Sequence, residues 1–174
     1  MKKYTGKGVY GAIAIGKVSL FQRQDIQVKR LHIENEEAEI ERFEEAKEKA
    51  VSQLKEIYEK ALVEVGETNA QIFEVHMMML EDDDYNDAIR EIISNQNMNA
   101  EYAVATTADN FATMFAAMDD SYMQARAADV KDISNRVIAC LNKEEERLTQ
   151  SDEKMIVCAD DLAPSETVSL DKDM

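Results

Sequence analysis

The spacing of hydrophobic residues changes twice along the chain. Residues 8–21 (GVYGAIAIGKVSLF) combine β-branched and apolar residues with glycines, which predicts one or two strands. From about Asn35 to Val65, apolar residues recur at steps of three and four, a spacing typical of a long amphipathic helix. Gly66 is predicted to end this helix. Residues 155–159 (MIVCA) again have the composition of a buried strand.

Helical spacing continues through the middle of the chain. A second helix is predicted at about 69–80, and the acidic residues 82–84 can start a short helix through 86–94. A longer helix is predicted at 99–118, and a last one follows a cap at Asp119 or Asp120 and extends to Leu141. Three long helices and a broken one, joined by short loops, indicate a helical bundle.

Strand signals lie on both sides of the helical block, so the simplest topology inserts the helices into a sheet-containing domain. The sequence predicts a mainly α fold in which residues 1–30 form the first piece of an α/β domain, 31–147 the helical bundle and 148–174 the second piece. After the second strand, Pro164 and Glu166 mark the first turn of another helix. The two α/β pieces are too small for an independent core, so we expect this domain to be truncated or to rest on the bundle.

The amino-acid composition agrees with a mainly helical fold and limits the classes of partner that the chain can bind. One proline, five glycines and no tryptophan favour helices, and a hydrophobic content of 45% is enough for a core. Lys and Arg number 20 against 36 Asp and Glu, and the net charge of −16 argues against binding nucleic acid or anionic membranes and favours a basic partner. The chain has no signal peptide and no apolar run of membrane-spanning length, so a cytoplasmic protein is expected.

Residues 71–85 (QIFEVHMMMLEDDDY) contain the densest candidate chemistry. His76 and the three methionines after it could suggest a soft metal site, but adjacent helical residues diverge by about 100° and cannot converge on one ion. A calcium loop starting at Asp82 fails because Asp87 and Ile93 occupy the positions that require glycine and glutamate. We therefore predict no metal site, and we interpret His76 as a partly buried helix residue.

Other candidate chemistry in the chain is weak. The GxGxxG match at residues 6–11 is not preceded by a strand, so it does not predict a dinucleotide site. Cys140 and Cys158 lack metal-site spacing and are predicted to be buried thiols. Residues 75–80 (VHMMML) are apolar around almost the whole helix circumference, which fits either burial on two sides or a docking face with an acidic rim.

Four segments in a fixed order resemble one family over the range from Gly8 to Leu170. They are GVYGAIAIGKV, QIFEVHMMMLEDDDY, DDSYMQARAADVKDI and MIVCADDLAPSETVSL, with a long acidic helix after the first. Together they resemble the N-terminal part of enzyme I of the bacterial sugar phosphotransferase system, the phosphoenolpyruvate–protein phosphotransferase family. The resemblance implies a helical subdomain that docks the phosphocarrier HPr, inserted into an α/β subdomain that carries a phosphohistidine.

The resemblance also implies a reaction and a set of site residues. Enzyme I passes a phosphoryl group from phosphoenolpyruvate to its own histidine and then to HPr, while a C-terminal barrel domain binds phosphoenolpyruvate and magnesium. Thr167 would hydrogen-bond the active histidine. The implied HPr surface comprises Glu67, Met78, Met79, Asp82, Asp84, Tyr85, Phe115, Tyr122, Met123 and Arg126.

The chain departs from the family pattern in ways that limit its expected activity. The family's phosphoacceptor histidine lies beyond the PSET segment and is absent here, and neither His32 nor His76 matches it. Ala163 stands where threonine commonly caps a helix. The segment alone is therefore expected to bind HPr without cofactor or phosphoryl transfer. An alternative is a helical scaffold or adaptor that binds an amphipathic partner through the methionine-rich groove.

Overall fold

The computed structural model describes residues 11, 13, 15–21, 28–143, 155–159 and 162–170. Within these ranges the predicted mainly α fold is confirmed, with a helical bundle beside a small sheet. In chain order the elements are β1 (Lys17–Phe21), α1 (Glu36–Glu64), α2 (Glu67–Leu80), α3 (Asp83–Gln96), α4 (Ala100–Ala116), α5 (Ser121–Leu141), β2 (Met155–Ala159) and α6 (Pro164–Ser169).

The ends of α1 follow local signals. The Asn35 side chain accepts a hydrogen bond from the Ala38 amide at 3.1 Å, so it caps the first turn. At the other end the amide of Gly66 donates to the Ala61 carbonyl, and Gly66 has φ of +83° and ψ of 166°. Such a backbone conformation is nearly restricted to glycine. Gly66 therefore ends α1 as predicted, and it also begins α2.

The shorter helices extend beyond their predicted bounds. α2 begins at Glu67 rather than at about Asn69. α3 begins at Asp83, within the acidic residues predicted to start it, and ends at Gln96 rather than Ser94. Asp82 caps α3, because its Oδ1 accepts a hydrogen bond from the Tyr85 amide at 3.0 Å. Asp120 caps α5 in the same way, as one of the two predicted candidates.

The hydrophobic core lies among α1 to α5. Each helix contributes a stripe of buried side chains at the predicted spacing of three and four residues. Its largest fully buried members include Phe43 and Leu54 of α1, Phe73 and Leu80 of α2, Ile89 and Ile93 of α3, Val104 of α4, and Val130, Ile133 and Val137 of α5.

The start of α4 is fixed by charged residues of α1. The amide of Ala100 donates to Glu39 Oε1 at 2.6 Å, so a side chain from another helix satisfies this terminal amide. Arg42 bonds both Glu39 and Glu101, the latter with two contacts of 2.8 Å. This cluster joins the N-terminal ends of α1 and α4.

The two strands pair in parallel, with Lys17 opposite Met155 and Phe21 opposite Ala159. The strand predicted at 155–159 is confirmed, and β1 lies within the predicted strand region 8–21. Residues 8–10, 12 and 14 of that region, and the predicted boundary between 147 and 148, lie outside the described residues. The prediction for Cys158 is wrong: its side chain is exposed on β2, whereas Cys140 is buried.

Helix α6 begins at Pro164, as the sequence predicts. Glu166 Oε2 accepts a hydrogen bond from the Ala163 amide at 2.6 Å. Because the Ala163 methyl group cannot accept a bond in return, only half of a capping box forms. Among the described helices, none is both long enough and apolar enough to cross a membrane.

Candidate functional site

The last turns of α2 present different methionines inward and outward. His76 and Leu80 are buried, and Met77 and Met79 are half-buried against the core. Met78 is 69% exposed. The turn therefore has an inner apolar face and an outer one. The prediction that His76 is partly buried is wrong, because its side chain is completely buried.

The residues that follow form an acidic edge beside Met78. Asp82, Asp83 and Asp84 are all exposed at the start of α3, together with Glu81. Acidic side chains at this position also interact favourably with the positive end of the α3 dipole. Asp82 has a second role as the helix cap. Asp84 has no such role in the cap, so it is the better position for testing charge.

Tyr85 does not belong to the exposed surface. Its side chain is 3% exposed, its hydroxyl lies 2.6 Å from Ser134 Oγ, and its ring meets Phe111 edge-on at 5.5 Å between centroids. Burial raises the pKa of Tyr85 to about 12, although the hydrogen bond with Ser134 lowers it slightly. The expectation that Tyr85 contacts a partner is therefore corrected, because its side chain connects α3 to α4 and α5.

The corner between α4 and α5 supplies the remaining predicted residues. Phe115 and Met123 are half-buried, and Tyr122 is 61% exposed. The guanidinium of Arg126 lies 4.4 Å from the centroid of the Tyr122 ring. Arg126 Nη1 also donates to Asp129 Oδ2 at 2.7 Å. These two contacts hold Arg126 in a defined orientation beside the exposed ring.

Two contacts connect the end of α2 and the start of α3 with the corner between α4 and α5. His76 of α2 lies against Asp129 of α5, with 3.4 Å between Nε2 and Oδ1. Arg126 is one helical turn before Asp129, and Met79 is about one turn after His76. Phe115 is likewise one turn beyond Phe111, which contacts Tyr85 at the start of α3. We call Met78, Met79, Asp82, Asp84, Phe115, Tyr122, Met123 and Arg126 the docking surface.

Glu67 lies apart from the rest of the predicted partner-binding residues. It begins α2 and is exposed, eleven residues before Met78, which is about 16 Å along the helix axis. Its charge acts on Tyr58 of α1, whose pKa is raised first by a hydrogen bond with Glu74 and to a lesser extent by Glu67. Glu67 can meet only a partner that extends along α2.

Thr167 is exposed on α6. Its hydroxyl donates to the Ala163 carbonyl at 3.1 Å, so the oxygen keeps lone pairs that can accept a hydrogen bond. Helix α6 packs against α1 and also contacts α5, where Ser165 Oγ donates to Asp132 Oδ2 at 3.3 Å.

Asp129 and Asp132 were missed by sequence reasoning. Burial raises the pKa of Asp129, but contacts with His76 and Arg126 lower it by a larger amount. The pKa of Asp129 therefore lies below its ordinary value. The sequence contained only a weak signal, namely two aspartates three residues apart on a predicted helix. Their position opposite His76 depends on the packing of α2 against α5.

The described residues offer no arrangement suited to a metal ion. In that part of the chain, no group of three or more His, Cys, Asp or Glu side chains is placed to hold one. Magnesium chemistry is therefore not assigned to any residue of this structure.

Sequence comparison finds a family profile and relatives that match this chain. A profile described as PEP-utilising enzyme, N-terminal, matches residues 5–126. The chain is 37% identical over 174 residues to the phosphoenolpyruvate-protein phosphotransferase of Bacillus subtilis strain 168, covering 99% of this chain and 30% of that protein. It is 38% identical over 172 residues to the protein of the same name from Listeria monocytogenes, covering 98% of this chain and 30% of the relative. The chain thus spans less than a third of the length of these relatives.

Structural comparison finds solved structures with a similar fold. An NMR solution structure of Enzyme I is similar to this chain with a TM-score of 0.75 at 31% identity, over 88% of this chain and 63% of that one. A structure described as the N-terminal domain of Enzyme 1 - Nitrogen shares the fold with a TM-score of 0.71 at 24% identity. The chain therefore belongs to the family of PEP-utilising enzymes, as an N-terminal region of the enzyme I type.

Proposed function

We propose that the docking surface binds the phosphocarrier HPr within a phosphoenolpyruvate–protein phosphotransferase of the enzyme I type. The carrying observation is an exposed apolar residue, Met78, bordered by the exposed acids of α3 at the end of the bundle where α2, α3 and the α4–α5 corner meet. An apolar centre with a charged rim suits a transient protein partner. Since the rim is acidic, the complementary partner surface is basic.

The chemistry of the whole protein is proposed from the family alone. The longer protein would take a phosphoryl group from phosphoenolpyruvate and pass it through a histidine to HPr, and the cytoplasm is the proposed location. Phosphoenolpyruvate and magnesium would bind outside these residues. Thr167 would accept a hydrogen bond from the phosphoacceptor histidine, which its exposed position on α6 supports.

The division into domains is also a proposal. Residues 1–30 and 148–174 would belong to one α/β domain, with the bundle 31–147 inserted between them. The parallel pairing of β1 with β2 supports this, because two strands from opposite ends of the sequence share one sheet.

We further propose that these 174 residues alone do not accept a phosphoryl group from phosphoenolpyruvate. His76 is enclosed in the bundle, which supports this proposal because a buried ring cannot approach a substrate. Incubation with labelled phosphoenolpyruvate should leave the chain unlabelled. Acid-labile label on either histidine would contradict the proposal.

The docking proposal can be tested with a charge reversal and a matched control. Labelled HPr is titrated against the chain at low and high salt, and association rates are measured for Asp84→Lys and Glu41→Lys. Glu41 is an exposed acid at the start of α1. The neighbouring Arg42 joins this end of α1 to Glu101 at the start of α4, about 21 Å along that helix from Phe115.

We expect Asp84→Lys to slow association about tenfold at low salt and much less at high salt, because screening removes long-range attraction. Glu41→Lys should change the rate less than about twofold. Absence of HPr binding at both salt concentrations would refute the docking proposal. Equal effects of both variants would assign the attraction to overall charge instead of this surface.

A further inference from the structure

His76 is enclosed between two carboxylates of one helix. Its Nε2 lies 3.4 Å from Asp129 Oδ1, and its Nδ1 lies 3.9 Å from Asp132 Oδ2. The two aspartates are three residues apart on α5, so they lie on the same face. Phe73, on the same helix as His76, meets the imidazole edge-on at 6.1 Å between centroids.

The position of the carboxylates restricts the protonation of the ring. A neutral imidazole has one N–H donor, and its other nitrogen presents a lone pair. That lone pair would then face a carboxylate in a buried site, where repulsion is strong. Neither nitrogen makes a hydrogen bond that would favour one neutral tautomer among the described residues. An imidazolium would present an N–H group to each carboxylate and, together with Arg126, would compensate their charge.

The two carboxylates extend the contact in opposite directions. On one side, Asp129 Oδ2 accepts from Arg126, whose guanidinium lies over Tyr122 in the docking surface. On the other side, Asp132 Oδ2 accepts from Ser165 of α6. A series of polar contacts, of which the two at His76 measure 3.4 and 3.9 Å, therefore runs from an exposed aromatic residue of the docking surface, through this fully buried histidine, to the short helix that carries Thr167.

We propose that His76 is a positioning residue whose doubly protonated ring joins Asp129 to Asp132 and thereby fixes the docking surface relative to α6. This role rests on the proposed function, in which His76 would connect the docking surface to the helix that carries Thr167. Its chemical basis is independent of HPr, because every contact in the chain lies within this protein.

The protonation of His76 is measured by long-range 1H–15N NMR spectra of the ring nitrogens in the full chain at neutral pH. The chain contains two histidines, so spectra of His32→Gln identify the His76 signals. We expect two protonated nitrogens in His76. A neutral pattern, with one nitrogen lacking a proton, would overturn the proposal.

The connection to α6 is measured by the backbone amide signals of Ser165 and Thr167. Arg126→Lys changes the contact with Asp129 at the docking surface and should shift both amide signals. The same substitution in an Asp132→Asn background should leave them unshifted, because one contact of the histidine has been weakened. Asp109→Asn is the matched background, since Asp109 is an exposed aspartate paired with Lys131 at 3.4 Å.

We expect the Arg126→Lys shift to persist in the Asp109→Asn background. Equal shifts in the Asp132→Asn and unsubstituted backgrounds, or no shift in either, would overturn the proposal. Neither NMR measurement uses HPr. A failure of HPr to bind would therefore refute the proposed function while leaving these results as an independent test of the positioning role.

Discussion

Met78 projects from α2 while its neighbours Met77 and Met79 pack partly against the core. A methionine side chain adapts its shape to a partner, which suits a surface that makes a transient contact. Because the side chain of Met78 makes little contribution to the core, its effects on binding and on folding can be separated.

Met78→Ala should weaken HPr binding about tenfold, which corresponds to about 1.4 kcal/mol. The free energy of unfolding should change by less than about 0.5 kcal/mol, because the residue is largely exposed. Calorimetric titration and urea denaturation measure the two quantities. Val63→Ala is the control, since Val63 of α1 is 88% exposed and lies outside the docking surface. Unchanged HPr affinity in Met78→Ala would argue against this surface.

Tyr85 shows the opposite behaviour because its hydroxyl is buried against Ser134. Tyr85→Phe removes this hydrogen bond and should lower the free energy of unfolding by about 1 kcal/mol. The cost should be modest, since Ser134 Oγ still donates to the Val130 carbonyl. HPr affinity should remain within about twofold of the unsubstituted chain, because the ring stays in the core.

Urea denaturation of Tyr85→Phe is compared with Tyr122→Phe, in which the lost hydroxyl belongs to an exposed side chain. The control variant should retain nearly full stability. If the two variants lost equal stability, the buried hydrogen bond would not be the cause.

At the level of secondary structure, the corner between α1 and α2 depends on one residue. Gly66 combines a positive φ with an extended ψ, a backbone conformation that residues with a Cβ rarely adopt. A Cβ built at Gly66 meets no atom within 4 Å. Any cost of substitution there is therefore conformational and not a steric clash with a neighbour.

Gly66→Ala should lower the free energy of unfolding by about 1–3 kcal/mol. Asn97 also has a positive φ of 51°, but its ψ of 46° lies in the left-handed helical region that asparagine tolerates. Asn97→Gly is thus a contrasting substitution that should be neutral or slightly stabilising. Thermal or urea unfolding would measure both variants. Full stability of Gly66→Ala would show that the corner can rearrange.

For the whole molecule, ion pairs between helices determine how stability responds to acid. Burial raises the pKa of Glu101, but hydrogen bonds that include those from Arg42 and Asn99 lower it by a larger amount. Its folded-state pKa therefore lies below the ordinary value. A carboxyl group of this kind stabilises the fold above its unfolded-state pKa. That stabilisation is lost as pH falls through the folded-state pKa.

Glu101→Gln should therefore reduce stability at neutral pH and flatten the loss of stability on acidification. The expected reduction at neutral pH is about 1–3 kcal/mol, because Arg42 loses a charged partner. Urea denaturation at several pH values measures this. Glu41→Gln, at an exposed site on the same part of α1, should follow the unsubstituted profile. If Glu101→Gln lost stability on acidification as steeply as the unsubstituted chain, the ion pair would not be responsible.

The sequence alone predicted most of the secondary structure because its signals are local. Apolar spacing gave the long helices, Asp120 capped α5, and Pro164 began α6. The bounds of α2 and α3 were less accurate at one end each, since the glycine before Glu67 lets α2 begin earlier than predicted and α3 continues to Gln96, beyond its predicted end. The inward stripe of each helix was also readable from spacing.

Local spacing could not determine which polar side chains meet across the bundle. Cross-helix contacts connect His76 with Asp129, Tyr85 with Ser134 and Glu39 with the amide of Ala100. The same packing buries Tyr85, which the family resemblance had placed on the partner surface. Thus the order of residues determined the helices, their caps and the acidic methionine-rich turn. Only tertiary packing decided which of those residues are exposed and which connect the bundle internally, because it sets the distance between residues far apart in sequence.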